Sequence, residues 1–199
     1  QYMASSGNFA TLNPLQKISS GTGTFSNGNT KFASSSEGGF ASTMELNTKS
    51  YCEIRIDAQA NYGGAIGIRS SECVNHYSDS LAFQLNYSNG DVYIYNGTSG
   101  TDVGDIGGVV STGDIVMMCY DPTTYKWWVG VNGTWRSSGD PANGTNPIYT
   151  GSATMFSNMD AIVWGGIRYG GNSLTVTYNF GQDSTFGGQE TAGGNADGN

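Results

Sequence analysis

The chain has 199 residues, a length that a single β-sandwich can organise around one core. Only 12% of residues are charged, the formal net charge is -8, and the eight Lys plus Arg are spread singly, which excludes the basic stripe needed to hold a phosphate backbone or an anionic membrane. No apolar run approaches the roughly 20 residues of a membrane-crossing helix, while 12% aromatic content supplies the apolar area that a Gly-, Ser- and Asn-rich disordered chain would lack.

Residues 1–20 are polar apart from Phe9, Leu12 and Leu15, which are expected to lay an edge segment across the core. Residues 21–39 read as short turns around Thr24-Phe25 and Lys31-Phe32. Residues 40–46 offer a first strand and residues 51–58 a half-buried one. In the latter, Cys52, Ile54, Ile56 and Ala58 point inward and Glu53, Arg55 and Asp57 outward. A short strand over 64–69 leads into an irregular stretch, 70–80. Leu81, Phe83, Leu85 and Tyr87 then alternate with Ala82, Gln84 and Asn86, and Ser88-Asn89-Gly90-Asp91 turns the chain into residues 92–96, which gives a hairpin. Residues 98–108 read as a Gly- and Asp-rich loop.

The central stretch, 113–148, is the most informative. Two apolar runs, 115–120 and 125–131, flank the polar turn Asp121-Pro122-Thr123-Thr124, in which Pro suits the second turn position. The first run is apolar on both faces, as a strand inside packed layers should be. In the second, Tyr125, Trp127, Val129 and Val131 share one face and Lys126, Trp128, Gly130 and Asn132 the other. Asn132-Gly133 reverses the chain again before Trp135. After a loop over 137–146, residues 149–156 and 161–169 are strand-like, and Leu174, Val176, Tyr178 and Phe180 form an alternating strand. No amphipathic helix of ten residues is predicted, and strands at this spacing predict an all-β sandwich.

Little points to catalysis. The single histidine, His76, has no nucleophile context. Asp91, Asp102, Asp105, Asp114, Asp121, Asp140 and Asp160 fall in turns or at strand starts, where Asp serves local hydrogen bonding. The oxygen-rich stretches 102–105, 140–146 and 195–197 lack the spacing of a calcium loop, so neither metal nor cofactor is implied. Cys52, Cys73 and Cys119 have no metal-ligand spacing; free buried thiols are expected, with one disulfide pair the alternative. The glycosylation patterns at Asn86, Asn96, Asn132 and Asn143 mostly coincide with Asn-Gly turns. Aromatic residues on the faces away from the core, Tyr93, Tyr95, Trp128 and Trp135, with Arg136, make a candidate binding surface. Ring faces bury apolar area there while polar neighbours fix orientation. The alternative is that both sheet faces are covered and these rings belong to the core.

The run GDIVMMCYDPTTYKWWVGVNGTW from Gly113 resembles the most recognisable part of a SPRY domain. That resemblance implies a concanavalin-like sandwich of two curved antiparallel sheets. The expected domain covers residues 1–186, with 1–20 wrapping its edge and 187–199 a Gly- and Asn-rich tail or linker. The segments SSGDPANGTNPI from Ser137, NFATLNPL from Asn8 and TYNFGQDSTFGG from Thr177 are similar to SPRY-like domains of virion proteins of tailed bacteriophages, notably those infecting marine cyanobacteria. The resemblance implies a non-enzymatic virion structural domain, a capsid decoration, fibre or tail-fibre module on the particle surface. Its partners would be other virion proteins and further copies of itself. A second reading is a lectin-like receptor-binding module that contacts a host surface glycan or protein through Tyr93, Tyr95, Trp128, Trp135 and Arg136. A third, a polysaccharide-degrading enzyme, requires two carboxylates within about 5 to 10 Å of each other. By analogy with the family, the rim loops 70–80, 98–108 and 137–146 are the places to look for partner contacts.

Overall fold

The computed structural model describes residues 9–16, 23–35, 37–62, 64–72, 79–157, 159, 161–168, 172–183, 185–186 and 188. The strands, in chain order, are β1 (Thr24–Ser26), β2 (Lys31–Ser34), β3 (Gly38–Ala41), β4 (Ser50–Gln59), β5 (Gly64–Ser70), β6 (Ser80–Leu85) and β7 (Asp91–Tyr95). They continue with β8 (Gly100–Asp105), β9 (Ile115–Asp121), β10 (Lys126–Val131), β11 (Thr134–Trp135), β12 (Tyr149–Thr150), β13 (Ile162–Arg168) and β14 (Leu174–Asn179). An eight-stranded sheet has the order β1-β2-β14-β4-β9-β10-β11, with β12 also paired to β10. A six-stranded sheet has the order β3-β13-β5-β6-β7-β8. The described pairings are antiparallel, so the expected all-β concanavalin-like sandwich is what forms.

Alternation along each strand puts one set of side chains between the sheets. Cys52, Ile54 and Ile56 of β4, Val116, Met118 and Tyr120 of β9, and Trp127, Val129 and Val131 of β10 meet Ile66 and Ile68 of β5, Leu81, Phe83 and Leu85 of β6, and Trp164 of β13 in one buried cluster. Burying each such side chain is worth on the order of 2 kcal/mol. Rings span the gap between the sheets: Phe83 and Trp127 lie 6.2 Å apart, and Tyr178 of β14 packs edge-on to Phe40 of β3 at 5.6 Å. The Tyr178 hydroxyl donates to the Gly165 carbonyl at 3.2 Å, tying the sheets together with a polar contact as well.

The β9–β10 hairpin forms where the sequence places it. Tyr125, at φ 54°, closes the four-residue turn, so the second strand begins at Lys126 rather than Tyr125. Asn132 and Gly133, at φ 50° and 80°, make the next turn. Residues 40–46, read as a strand, are strand only through Ala41 of β3, with Ser42 in an isolated bridge to Leu12. Three further segments differ from their sequence reading. Residues 24–34 are a true hairpin, turned by Asn27, Gly28 and Asn29 at positive φ and held by the inward pair Phe25 and Phe32, with ring centroids 5.4 Å apart. Residues 100–105, read as loop, are edge strand β8; both faces are largely exposed, so no apolar alternation marks it. Residues 153–156 form a single helical turn, α1 (Ala153–Phe156), capped by the Ser152 side chain, which accepts from the Met155 N–H.

At one edge, Leu12 is fully buried. Its N–H donates to the Asn29 carbonyl, and the next N–H donates to Ala41, so this segment bridges both sheets. Phe9 and Leu15 do not join it in the core: Leu15 is 91% exposed. Cys52 and Cys119 are free, buried thiols pointing to opposite faces of their sheet, since Cys52 pairs with Met118 and Tyr51 with Cys119. Burial holds both thiols protonated, and pushes Cys119 up to about 11 against the pull of Lys49. Cys73, His76 and all of the 187–199 stretch except Gly188 lie outside the described residues.

The Tyr120 hydroxyl and the Trp127 indole nitrogen are buried without a hydrogen-bond partner among the described residues. A buried polar atom left in this state costs about 1–3 kcal/mol. Tyr120→Phe is therefore expected to leave the urea midpoint unchanged or raise it, whereas Val129→Ala in the same layer lowers stability by about 2 kcal/mol. A Tyr120→Phe loss as large as the Val129→Ala loss would show that the hydroxyl is in fact satisfied.

Candidate functional site

Because Cys52, Ile54 and Ile56 face the core, Tyr51, Glu53, Arg55 and Asp57 stand in one row on the outer face of the eight-stranded sheet. Asp57 is the hub of that row. Its Oδ2 accepts from Thr177 Oγ1 at 2.6 Å and faces Lys31 Nζ at 3.2 Å, and its Oδ1 accepts from Arg55 Nε at 2.6 Å and from Arg55 Nη2. Asp57 and Arg55 side chains are only 8% and 12% exposed, so water screens this pair little. One carboxylate thereby joins β2, β4 and β14 and fixes the direction of two cations.

The chain after β14 then curls back over this row. Asn179 Oδ1 accepts the N–H groups of Gly181 (2.9 Å) and Asp183 (3.3 Å), and Asp183 Oδ1 accepts from the Thr185 N–H (2.9 Å) and hydroxyl (2.8 Å). Such side-chain-to-backbone bonds compete with extended structure and end the strand. They return Phe186 to the sheet, where the Arg55 guanidinium lies 6.0 Å from its ring centroid. Between the β1–β2 turn, the Asp57 row and this curl opens a cleft of about 450 Å³, bordered by Asn27, Lys31, Arg55, Asn179, Gln182 and Phe186. Amides, hydroxyls, cations and the Asp183 carboxylate surround the Phe186 ring in it.

The carboxylates at this site are already engaged. Asp183, which lines the cleft, accepts from Thr185, Glu53 accepts from Tyr51 Oη at 2.7 Å and from Asn179 Nδ2 at 3.3 Å, and Asp57 is shared among Arg55, Lys31 and Thr177. None of the three is poised as a general acid or base across a bond to be cleaved. Among the described residues no group of three or more His, Cys, Asp or Glu side chains is placed to hold a metal ion. The arrangement suits recognition.

Comparisons with known proteins place the architecture. No family model matches the sequence, and no curated protein matches it. Among solved structures, the SPRY domain of human HERC1 superposes with a TM-score of 0.60 at 14% identity, over 86% of this chain and 99% of that one. The TRIM65 PSpry domain gives 0.54 at 10% identity, over 86% and 92%. The fold is SPRY-like. The carbohydrate-binding module CBM66 from Bacillus subtilis gives 0.51 at 7% identity, over 86% and 94%. At these identities the likeness is one of fold.

The SPRY-like sandwich distributes the sequence-predicted site residues over different faces. Tyr93 and Tyr95 stack on each other (5.9 Å, 27°) on the outer face of the six-stranded sheet, where Tyr95 is buried against Gly100 and Tyr93 half-buried. Burial first, then Asp102 and Asp91, push the Tyr93 hydroxyl above its ordinary pKa. Trp128 and Trp135 stand on the outer face of the other sheet, and Arg136 lies beside Gly108 near its edge. Trp128 is 1% exposed because residues 136–146 form a strap across it. Its Nε1 donates to the Thr145 carbonyl at 2.7 Å, Lys126 Nζ donates to Gly144 at 2.7 Å, and Lys49 sits 5.6 Å over the ring while donating to the Pro141 carbonyl. Trp135 stays half-buried and meets Tyr51 edge-to-face at 6.2 Å. It can do so because position 130 is Gly: a Cβ there would stand 3.1 Å from the Trp135 ring and collide with Met117.

Of the loops suggested by analogy, 98–108 is mostly β8, 137–146 is the strap, and residues 73–78 of the third lie outside the described chain. The cleft residues Lys31, Arg55, Gln182 and Phe186, and Asp57 that holds the two cations, were not among the sequence candidates. The readable signal was the outward charged row of β4 in a chain with only 12% charged residues.

The strap carries its own pH dependence. Asp140 accepts from the Asn143 side chain (2.7 Å) and N–H (3.0 Å), which holds its carboxyl below the ordinary range. Its contribution is fully present above the ordinary carboxylate pKa and is lost progressively as pH falls from there through the lowered pKa. The protection factor of the Thr145 amide, which donates to the Asp140 carbonyl, is expected to fall in that acidic window before global unfolding. In Asp140→Asn that fall is expected to disappear; a Thr145 protection factor that still falls over the same window in that variant would assign the effect elsewhere.

Proposed function

We propose that this chain is a non-catalytic recognition module, carried on the exterior of a bacteriophage particle, whose cleft on the eight-stranded sheet binds a surface glycan. The observation that carries this reading is the cleft itself, with donors and acceptors fixed in advance by Asp57 and a ring at Phe186. Preorganised polar groups beside an aromatic face suit a ligand that offers hydroxyls on its rim and C–H groups on its faces. The likeness in fold to a structure described as a carbohydrate-binding module is consistent with it.

The virion placement rests on the resemblance of residues 8–15, 137–148 and 177–188 to phage virion proteins. The last two segments supply the strap and the curl, both on the outer face of the same sheet. A second reading, a passive capsid decoration or fibre module docked to other virion proteins and to copies of itself, rests on the same resemblance and requires no soluble ligand.

Array screening of the whole chain against bacterial and algal surface glycans is expected to return binders. For the binders, Phe186→Ala and Gln182→Ala are expected to weaken affinity about tenfold or more, and Tyr93→Ala on the opposite face to leave it unchanged. No binder, with antibody labelling of the domain on intact particles, would favour the decoration or fibre role. Absence from particles would remove the virion reading.

A further inference from the structure

The outer face of β4 does not end at the cleft. Along an antiparallel strand, side chains on one face recur about every 7 Å, so Tyr51 stands roughly 14 Å from Arg55 on the same side. Tyr51 is 48% exposed, one of the few large hydrophobic side chains of the described residues with so much free surface. Its hydroxyl is fixed on Glu53 at 2.7 Å and its ring is braced edge-on by Trp135 at 6.2 Å. An aromatic ring held in one orientation with an open face is a stacking platform for the C–H face of a sugar.

Glu53 makes the platform continuous with the cleft, because its second oxygen accepts from Asn179, which borders the cleft. Charge along the row is nearly balanced: Lys31 and Arg55 face Asp57, and Glu53 and Asp183 stand beside them. With a whole-chain charge of -8, nothing here favours an anionic polymer.

We infer that the Tyr51–Trp135 pair is a second subsite of the cleft, and that the ligand is a neutral linear oligosaccharide lying along β4. This rests on the glycan-binding reading above and narrows it. One sugar ring cannot touch both Phe186 and Tyr51, so occupancy of the two ends requires a chain.

The test is calorimetric titration of the whole chain with neutral malto-, cello- and N-acetylglucosamine oligomers of increasing length, and with uronic acid oligomers for comparison. Affinity is expected to rise about tenfold or more between the disaccharide and the tetrasaccharide of the series that binds. Tyr51→Ala should abolish that rise while leaving disaccharide affinity intact, and Tyr51→Phe, which keeps the ring, should retain most of it. Phe186→Ala should weaken every length. Affinity that does not change with length would overturn the second subsite and leave the cleft reading standing. Preferential binding of uronic acid oligomers would overturn the neutral class, and no binding in any series would overturn the neutral linear ligand, leaving the cleft reading to the surface-glycan array.

Discussion

The Asp57 carboxylate is the constraint from which the candidate site follows. It is 8% exposed and touches groups from three strands, Lys31 on β2, Arg55 on β4 and Thr177 on β14. Surface ion pairs of long side chains usually contribute little because they are solvated and mobile. Here the pair with Arg55 is largely withdrawn from water and backed by a hydroxyl, so the cations are held at fixed positions. Removing the carboxylate would leave two positive charges facing each other over an apolar sheet, the circumstance in which breaking a partly buried pair is most costly.

On that floor the chain builds in two directions. The curl after β14 depends on Asn179 and Asp183 turning their own backbone, and it delivers Phe186 to one side of the row. The strap of residues 136–146 depends on Lys49, Lys126 and the Trp128 indole donating to its carbonyls, and it covers the other side. Between them Tyr51 and Trp135 remain accessible. One sheet face therefore carries a covered aromatic, a fixed polar floor and an open aromatic pair, while the opposite face of the sandwich carries the stacked Tyr93 and Tyr95.

Much of the sandwich was legible in the sequence because its strands are marked by what they bury. Cys52, Ile54 and Ile56 alternate with charges, and β9 is apolar on both faces because the strap and Trp128 side cover what the core does not. Strand β8 carried no such mark, since a polar edge strand has nothing to bury, and β1–β2 was too short for alternation to register. The candidate site was less legible for two physical reasons. Alternation assigns Trp128 and Tyr93 to the face away from the core of their own strands, yet says nothing about which sheet each strand joins or which distant loop returns to cover it. Phe186 reaches the cleft through side-chain hydrogen bonds in an irregular turn, a route with no period. Arg55 and Asp57, by contrast, lay on the outward row that alternation had already drawn, and Tyr51 continues it by one step.

The most direct test of the claim that the eight-stranded sheet carries the recognition surface is amide chemical-shift mapping of the folded chain with a glycan that binds it. Perturbations are expected to concentrate at Arg55, Asn179, Gln182 and Phe186 and to extend to Tyr51 for longer ligands. Perturbations centred instead on Tyr93, Tyr95 and β8, with the β4 row silent, would contradict it.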